Sequence, residues 1–228
     1  ATGVDAKLIA QSINVVLPIF FGVSSYFYMK QTDSKFAGQI GFLFAVFSMQ
    51  TGLTMMGGLY CNLFALSLML ITLTFVRKAE RDLKWLVGVF VGLISVALSH
   101  THTGILVVAV LAIYALLPQN RKLRLGLGFI VGLTLIASAA ILFSREDAFI
   151  LIKDLSSPYY PNNQIADFPR IFIHTVQYYL ARYYTDVLIL ILAFFGLLTA
   201  DTLTLTWLGV ATVAMIPAKL MYMWRLLY

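Results

Sequence analysis

From Trp85 to Leu117 the chain is apolar except at one point, the run Ser99-His100-Thr101-His102-Thr103 closed by Gly104. A bilayer crossing takes about 20 residues, so the stretch is too long for one transmembrane helix. It is also too apolar to cover a water-soluble surface. The polar run therefore reads as the turn of a helical hairpin, with two imidazoles at or just inside one membrane face. Each arm holds about 14 residues and reaches roughly 21 Å, short of the ~30 Å hydrocarbon thickness. Either the turn dips into the membrane or water reaches down to it, and both favour a cavity there.

Composition agrees. Of the 228 residues 61% are hydrophobic and 11% charged, and the mean hydropathy is +0.89. A soluble domain carries about 25% charged residues. The net charge of +6 does not indicate nucleic acid, because nine of the 16 Lys and Arg fall in the short gaps between apolar segments, where the positive-inside rule expects them. The single cysteine, Cys61, excludes an internal disulfide and most zinc sites. Residue 1 is Ala, and Ala1 to Lys7 is unlike a basic signal-peptide start. The expectation is a single transmembrane domain over residues 1–228, an internal portion of a longer protein.

The fold class expected is all-α, a polytopic bundle of about eight membrane segments with one interfacial amphipathic helix. The segments are Leu8–Met29 with Pro18 as a kink, Phe36–Met56, Leu59–Val76, the hairpin arms Trp85–Leu98 and Gly104–Leu117, Leu125–Phe143, Tyr184–Ala200, and Leu203–Met223 with Pro217. Lys30 and Lys35, then Arg77 to Lys84, then Arg121 to Arg124 fall on one side by alternation, which the positive-inside rule makes cytoplasmic. The turn Gly57–Asn62, the Ser99–Thr103 turn and the long connection 144–183 then share the outer side. That connection ends in a tyrosine-rich stretch read as the helix lying along the membrane. Gly88/Gly92 and Gly128/Gly132 are small-xxx-small pairs that suit close helix packing.

The candidate chemistry gathers on the outer side. His100 and His102, at i and i+2, can share a metal ion, but no Asp, Glu or Cys lies near and a metal site needs three or four protein ligands. No cofactor is evident, and a divalent metal is not supported by the ligand count. The bland alternative is a histidine pair that ends two helices, and the functional one is hydrogen bonding to a polar or anionic ligand. Tyr60 and Asn62 open the third segment, and Asn62 inside an apolar segment costs free energy unless paired. In the long connection, Arg145 and Arg170 suit phosphate, and Tyr159 and Tyr160 suit stacking on a sugar ring. Charges deep within the segments are too few for a proton relay, which counts against a pump or carrier.

The stretches MMGGLYCNLFALSLML and ALSHTHTGILVVAVLAIYALL, within Phe36–Ala200, resemble the middle of polytopic glycosyltransferases of the GT-C class. The resemblance implies transfer of a sugar from a polyprenyl-phosphate carrier at the extracytoplasmic face. It implies membrane lipid and lipid-linked sugar as partners, and location in the cytoplasmic membrane of a prokaryote. His100, His102, Arg145 and Arg170 would hold the phosphate, and Tyr60, Asn62, Tyr159 and Tyr160 the sugar. The family's catalytic carboxylate sits in the first outer loop, which has no match here and is expected upstream of Ala1. The chain also departs from the related polymerases and O-antigen ligases, which carry an Arg in place of one histidine. A non-catalytic subunit of a larger membrane complex is the alternative, since it needs no missing carboxylate.

Overall fold

The structure, a computed structural model, describes residues 6–31, 35–47, 51, 60–117, 120–143, 195–198 and 200–214. Every regular element among them is helical and none is a strand. The chain divides into two compact units, with the boundary between Ile105 and Leu106.

The first unit contains α1 (Ala6–Lys30), α2 (Lys35–Phe47), α3 (Tyr60–Arg81), a 3-10 turn (Leu83–Trp85), α4 (Leu86–Ser99) and the first turn of α5 (Thr101–Leu116). Two stretches are long and apolar enough to cross a membrane, Gln11–Lys30 within α1 and the whole of α3. α2, α4 and α5 are apolar but shorter. The expected segment Phe36–Met56 is described as a helix only to Phe47. α3 runs past Val76 to Arg81, so Arg77 is helical and its last turn holds Lys78 and Arg81, cations expected in the gap between segments.

Glycine sets how closely these helices approach. Gly22 of α1 faces Phe42 and Val46 of α2, and Gly38 faces Tyr26. Later residues of α1 meet earlier ones of α2, so the pair is antiparallel. Gly88 of α4 lies against the Phe75 ring, and Gly92 against Thr72. α3 and α4 are therefore antiparallel too, and Gly88/Gly92 packs as the spacing suggests. α1 and α3 are parallel: the Phe20 and Phe64 rings lie 5.7 Å apart, and farther along both helices the Arg77 guanidinium lies 5.7 Å from the Tyr28 ring.

The hydroxyl residues Ser67, Thr72 and Thr74 of α3 are tolerated because each uses a carbonyl of its own helix. Ser67, Thr72 and Thr74 donate to the oxygens of Leu63, Leu68 and Leu70, all at 2.8 Å. In hydrocarbon such intrahelical bonds are the available satisfaction. Between α3 and α4 the chain turns at Asp82, whose Oδ1 accepts the Lys84 N–H at 3.1 Å and whose Oδ2 pairs with Lys84 Nζ at 2.6 Å. The hydrogen bonds from the Lys84 side chain and backbone hold the Asp82 carboxyl below the usual carboxylate range.

The second unit holds the rest of α5, α6 (Arg121–Phe143) and α7 (Thr202–Ala214). α6 starts where Asn120 Oδ1 accepts the Lys122 N–H at 3.0 Å, and α7 where Asp201 Oδ1 accepts the Thr204 N–H at 2.9 Å, both N-caps. α6 buries Leu123, Leu127, Ile130, Val131 and Thr134, one face at helical spacing, while Phe129 and Ile136 are 70% exposed. Gly128 and Gly132 sit on the open side with nothing within 4 Å of an added Cβ. This glycine pair, unlike Gly88/Gly92, makes no close helix contact among the described residues. Of the expected last two segments, residues 195–198 and 200 and the helix α7 are described. Pro217 and the connection 144–183, with its expected interfacial helix, lie outside the described residues.

Candidate functional site

The polar run does not form a five-residue turn. α4 continues through Ser99 and α5 begins at Thr101, so His100 alone is non-helical, with φ −158° and ψ 109°. One residue joins two helices because His100 terminates both. Its N–H donates to the Val96 oxygen at 3.0 Å, closing α4, and its carbonyl accepts the Gly104 N–H at 2.9 Å, opening α5. The side chain then acts as an N-cap: Nδ1 accepts the Thr103 N–H at 3.3 Å and lies 2.9 Å from the Thr103 hydroxyl. Three residues separate cap and donor, the usual spacing of a capping side chain and the N3 amide.

That cap assigns the tautomer. A backbone N–H can only donate, so Nδ1 accepts and the neutral ring carries its proton on Nε2. The ring nitrogen remote from the cap is then the donor. Ser99 is satisfied within α4, its hydroxyl donating to the Ser95 oxygen at 2.6 Å. The joint is tight enough to require Gly104, where a Cβ would come within 2.6 Å of the Ala97 Cα. Thr103 is fully buried.

Tyr60 and Asn62 lie in the first turn of α3. In the antiparallel register that sets Gly92 beside Thr72 and Gly88 beside Phe75, the start of α3 stands level with the end of α4. The fold thus brings Tyr60, Asn62 and His100 to one end of the α3–α4 pair. Asn62 is only 5% exposed, and its Nδ2 has no hydrogen-bond partner among the described residues. A buried unsatisfied amide costs about 1–3 kcal/mol. The backbone of His102 is in the first turn of α5, beside the joint. Arg145, Tyr159, Tyr160 and Arg170 lie outside the described residues.

Among the described residues no group of three or more His, Cys, Asp or Glu side chains is placed to hold a metal ion. Thr103 joins the site through the cap, and its signal in the sequence is the His-x-x-Thr spacing, which matches N-cap and N3. The distribution of charge is sharper than expected. Residues 60–76 and 86–117 contain no Lys or Arg, so this end of the α3–α4 pair is uncharged while the opposite end carries Arg77, Lys78, Arg81 and Lys84. Comparison with protein families, curated proteins and solved structures gave no match for this chain.

Proposed function

We propose that the chain is part of a multi-pass integral membrane protein, a glycosyltransferase that moves a sugar from a polyprenyl-phosphate carrier at the outer face of a prokaryotic cytoplasmic membrane. The observation that carries the reading is the buried Asn62 amide, without a hydrogen-bond partner among the described residues, at the same uncharged end as His100. A sugar hydroxyl accepting from Nδ2 would satisfy that amide and offset the cost of burying it. The resemblance of the stretches around Asn62 and His100 to GT-C enzymes supports the same assignment.

Membrane placement is supported by the apolar surface. Val15, Val16 and Ile19 on α1 are 60%, 58% and 46% exposed, and Leu116 is 80% exposed. Each such side chain forgoes about 1.5–3 kcal/mol of burial in water, a cost that lipid removes. The basic ends of α1 and α3 then face the cytoplasm and the His100 end faces outward.

In the reaction the acceptor oxygen attacks the anomeric carbon, and the bond from that carbon to the carrier phosphate breaks. The lipid phosphate leaves, and the acceptor proton passes to a carboxylate base, which the resemblance puts in a preceding outer loop. His100 and His102, with Arg145 and Arg170, stabilise the departing phosphate. Tyr60, Asn62, Tyr159 and Tyr160 hold the sugar.

The test is sugar transfer from a polyprenyl-phosphate donor by the full-length protein in membranes. Turnover is expected, and His100→Ala with His102→Ala should abolish it. Asn62→Leu should leave the protein at least as stable, by up to about 1 kcal/mol, since it removes an unsatisfied amide, yet lose turnover. Full activity in both variants would overturn the site. A second reading, a non-catalytic subunit of a membrane complex, is favoured by the cap itself, because the bonds from Thr103 give His100 a purely structural reason to be present. Co-purification with a partner at fixed ratio, without transfer activity, would establish it.

A further inference from the structure

We propose that the end of the first unit where α1 and α3 finish is a binding site for the phosphate oxyanion of an anionic phospholipid headgroup, gripped by Lys30, Arg77, Lys78 and Arg81. The inference rests on the membrane reading above and is independent of sugar transfer. Parallel α1 and α3 end together, and antiparallel α2 and α4 begin there. The end therefore collects Lys30, Lys35, Arg77, Lys78, Arg81 and Lys84, against Glu80 and Asp82 among the described residues. Lys84 is engaged by Asp82 at 2.6 Å, so the positive excess is centred on the two helix ends.

These cations are not loose surface charges. Lys30 Nζ lies 5.7 Å from the Tyr26 ring, the Arg77 guanidinium 5.7 Å from Tyr28, and Lys78 Nζ 4.4 Å from Trp85. Trp85 in turn stacks on Phe75 at 5.6 Å. These rings restrict Lys30, Arg77 and Lys78, which reduces the ordering cost of gripping a ligand. Tyr and Trp are also the residues that settle at headgroup depth, so the cations stand where lipid phosphates lie. Arg81, exposed at the last residue of α3, adds planar, bidentate geometry for a phosphate. A cluster of four to eight basic residues next to a membrane helix gains about fivefold in anionic-lipid affinity per cation.

The test is native mass spectrometry of the full-length protein in mild detergent with added phosphatidylglycerol or phosphatidylcholine. Phosphatidylglycerol should be retained preferentially. Lys78→Gln with Arg81→Gln should cut that retention more than tenfold without changing phosphatidylcholine retention, whereas Lys78→Arg with Arg81→Lys should preserve it. Equal retention of the two lipids, or no loss in the Gln variant, would overturn the site. Displacement of phosphatidylglycerol by inorganic phosphate would instead assign the oxyanion to a soluble phosphate and overturn the lipid source. Release of the protein from membranes by alkaline carbonate is a separate result, and would overturn the membrane reading itself.

Discussion

Gly104→Ala is expected to destabilise the protein by about 1–3 kcal/mol, the usual range for forcing a methyl into a packed site. The added Cβ would meet the Ala97 Cα at 2.6 Å, and a backbone atom cannot rotate away as a side chain does. The first turn of α5 would have to lift from α4, straining the hydrogen bonds through which His100 joins the helices. Gly128→Ala supplies the contrast, since an added methyl there meets nothing within 4 Å. It should be neutral or gain about 0.5–1 kcal/mol from helix propensity. Denaturant unfolding of both variants in the same detergent reads the difference. Equal effects would mean that the joint between α4 and α5 is not closed as described.

His100→Ala should cost about 0.5–2 kcal/mol through loss of the N-cap, and His100→Asn should recover most of it. Asparagine is among the best capping residues and offers an oxygen to the Thr103 N–H at the same position. The pair separates two roles that a single alanine variant confounds. If the ring also binds phosphate, His100→Asn folds like the parent and still loses turnover. If the histidine only caps, His100→Asn behaves as the parent in both assays. A His100→Ala variant as stable as the parent would contradict the cap itself.

The helices were legible in the sequence where apolar runs end in a polar cap, and less so where a run is shared. The expected last segment starts at Leu203, one residue after the start of α7 at Thr202, where the structure shows Asp201 as the N-cap. The joint was misjudged in length. Five polar residues suggested a turn, but Thr101 and Thr103 fit a first helical turn, and one extended residue suffices when its own side chain supplies the cap. The end of α3 was also misread, since its basic residues looked like a loop although Arg, Lys, Ala and Glu all favour helix. Gly88/Gly92 and Gly128/Gly132 have the same spacing but different surroundings, because a spacing pattern carries no information about which face has a partner. Among the site residues, Tyr60, Asn62 and His100 share one end of the α3–α4 pair through its register, which no local pattern encodes.

The central claim is that the end bearing Tyr60, Asn62 and His100 and the end bearing Arg77 to Lys84 face opposite sides of a membrane. Cys61 makes a direct test available, since it is the only cysteine, is exposed, and lies in the first turn of α3. A membrane-impermeant maleimide should label the full-length protein at Cys61 in intact spheroplasts. The variant Cys61→Ser/Arg81→Cys, with its thiol at the exposed last residue of α3, should label only in inverted vesicles. Labelling of both thiols from the same side would contradict the account.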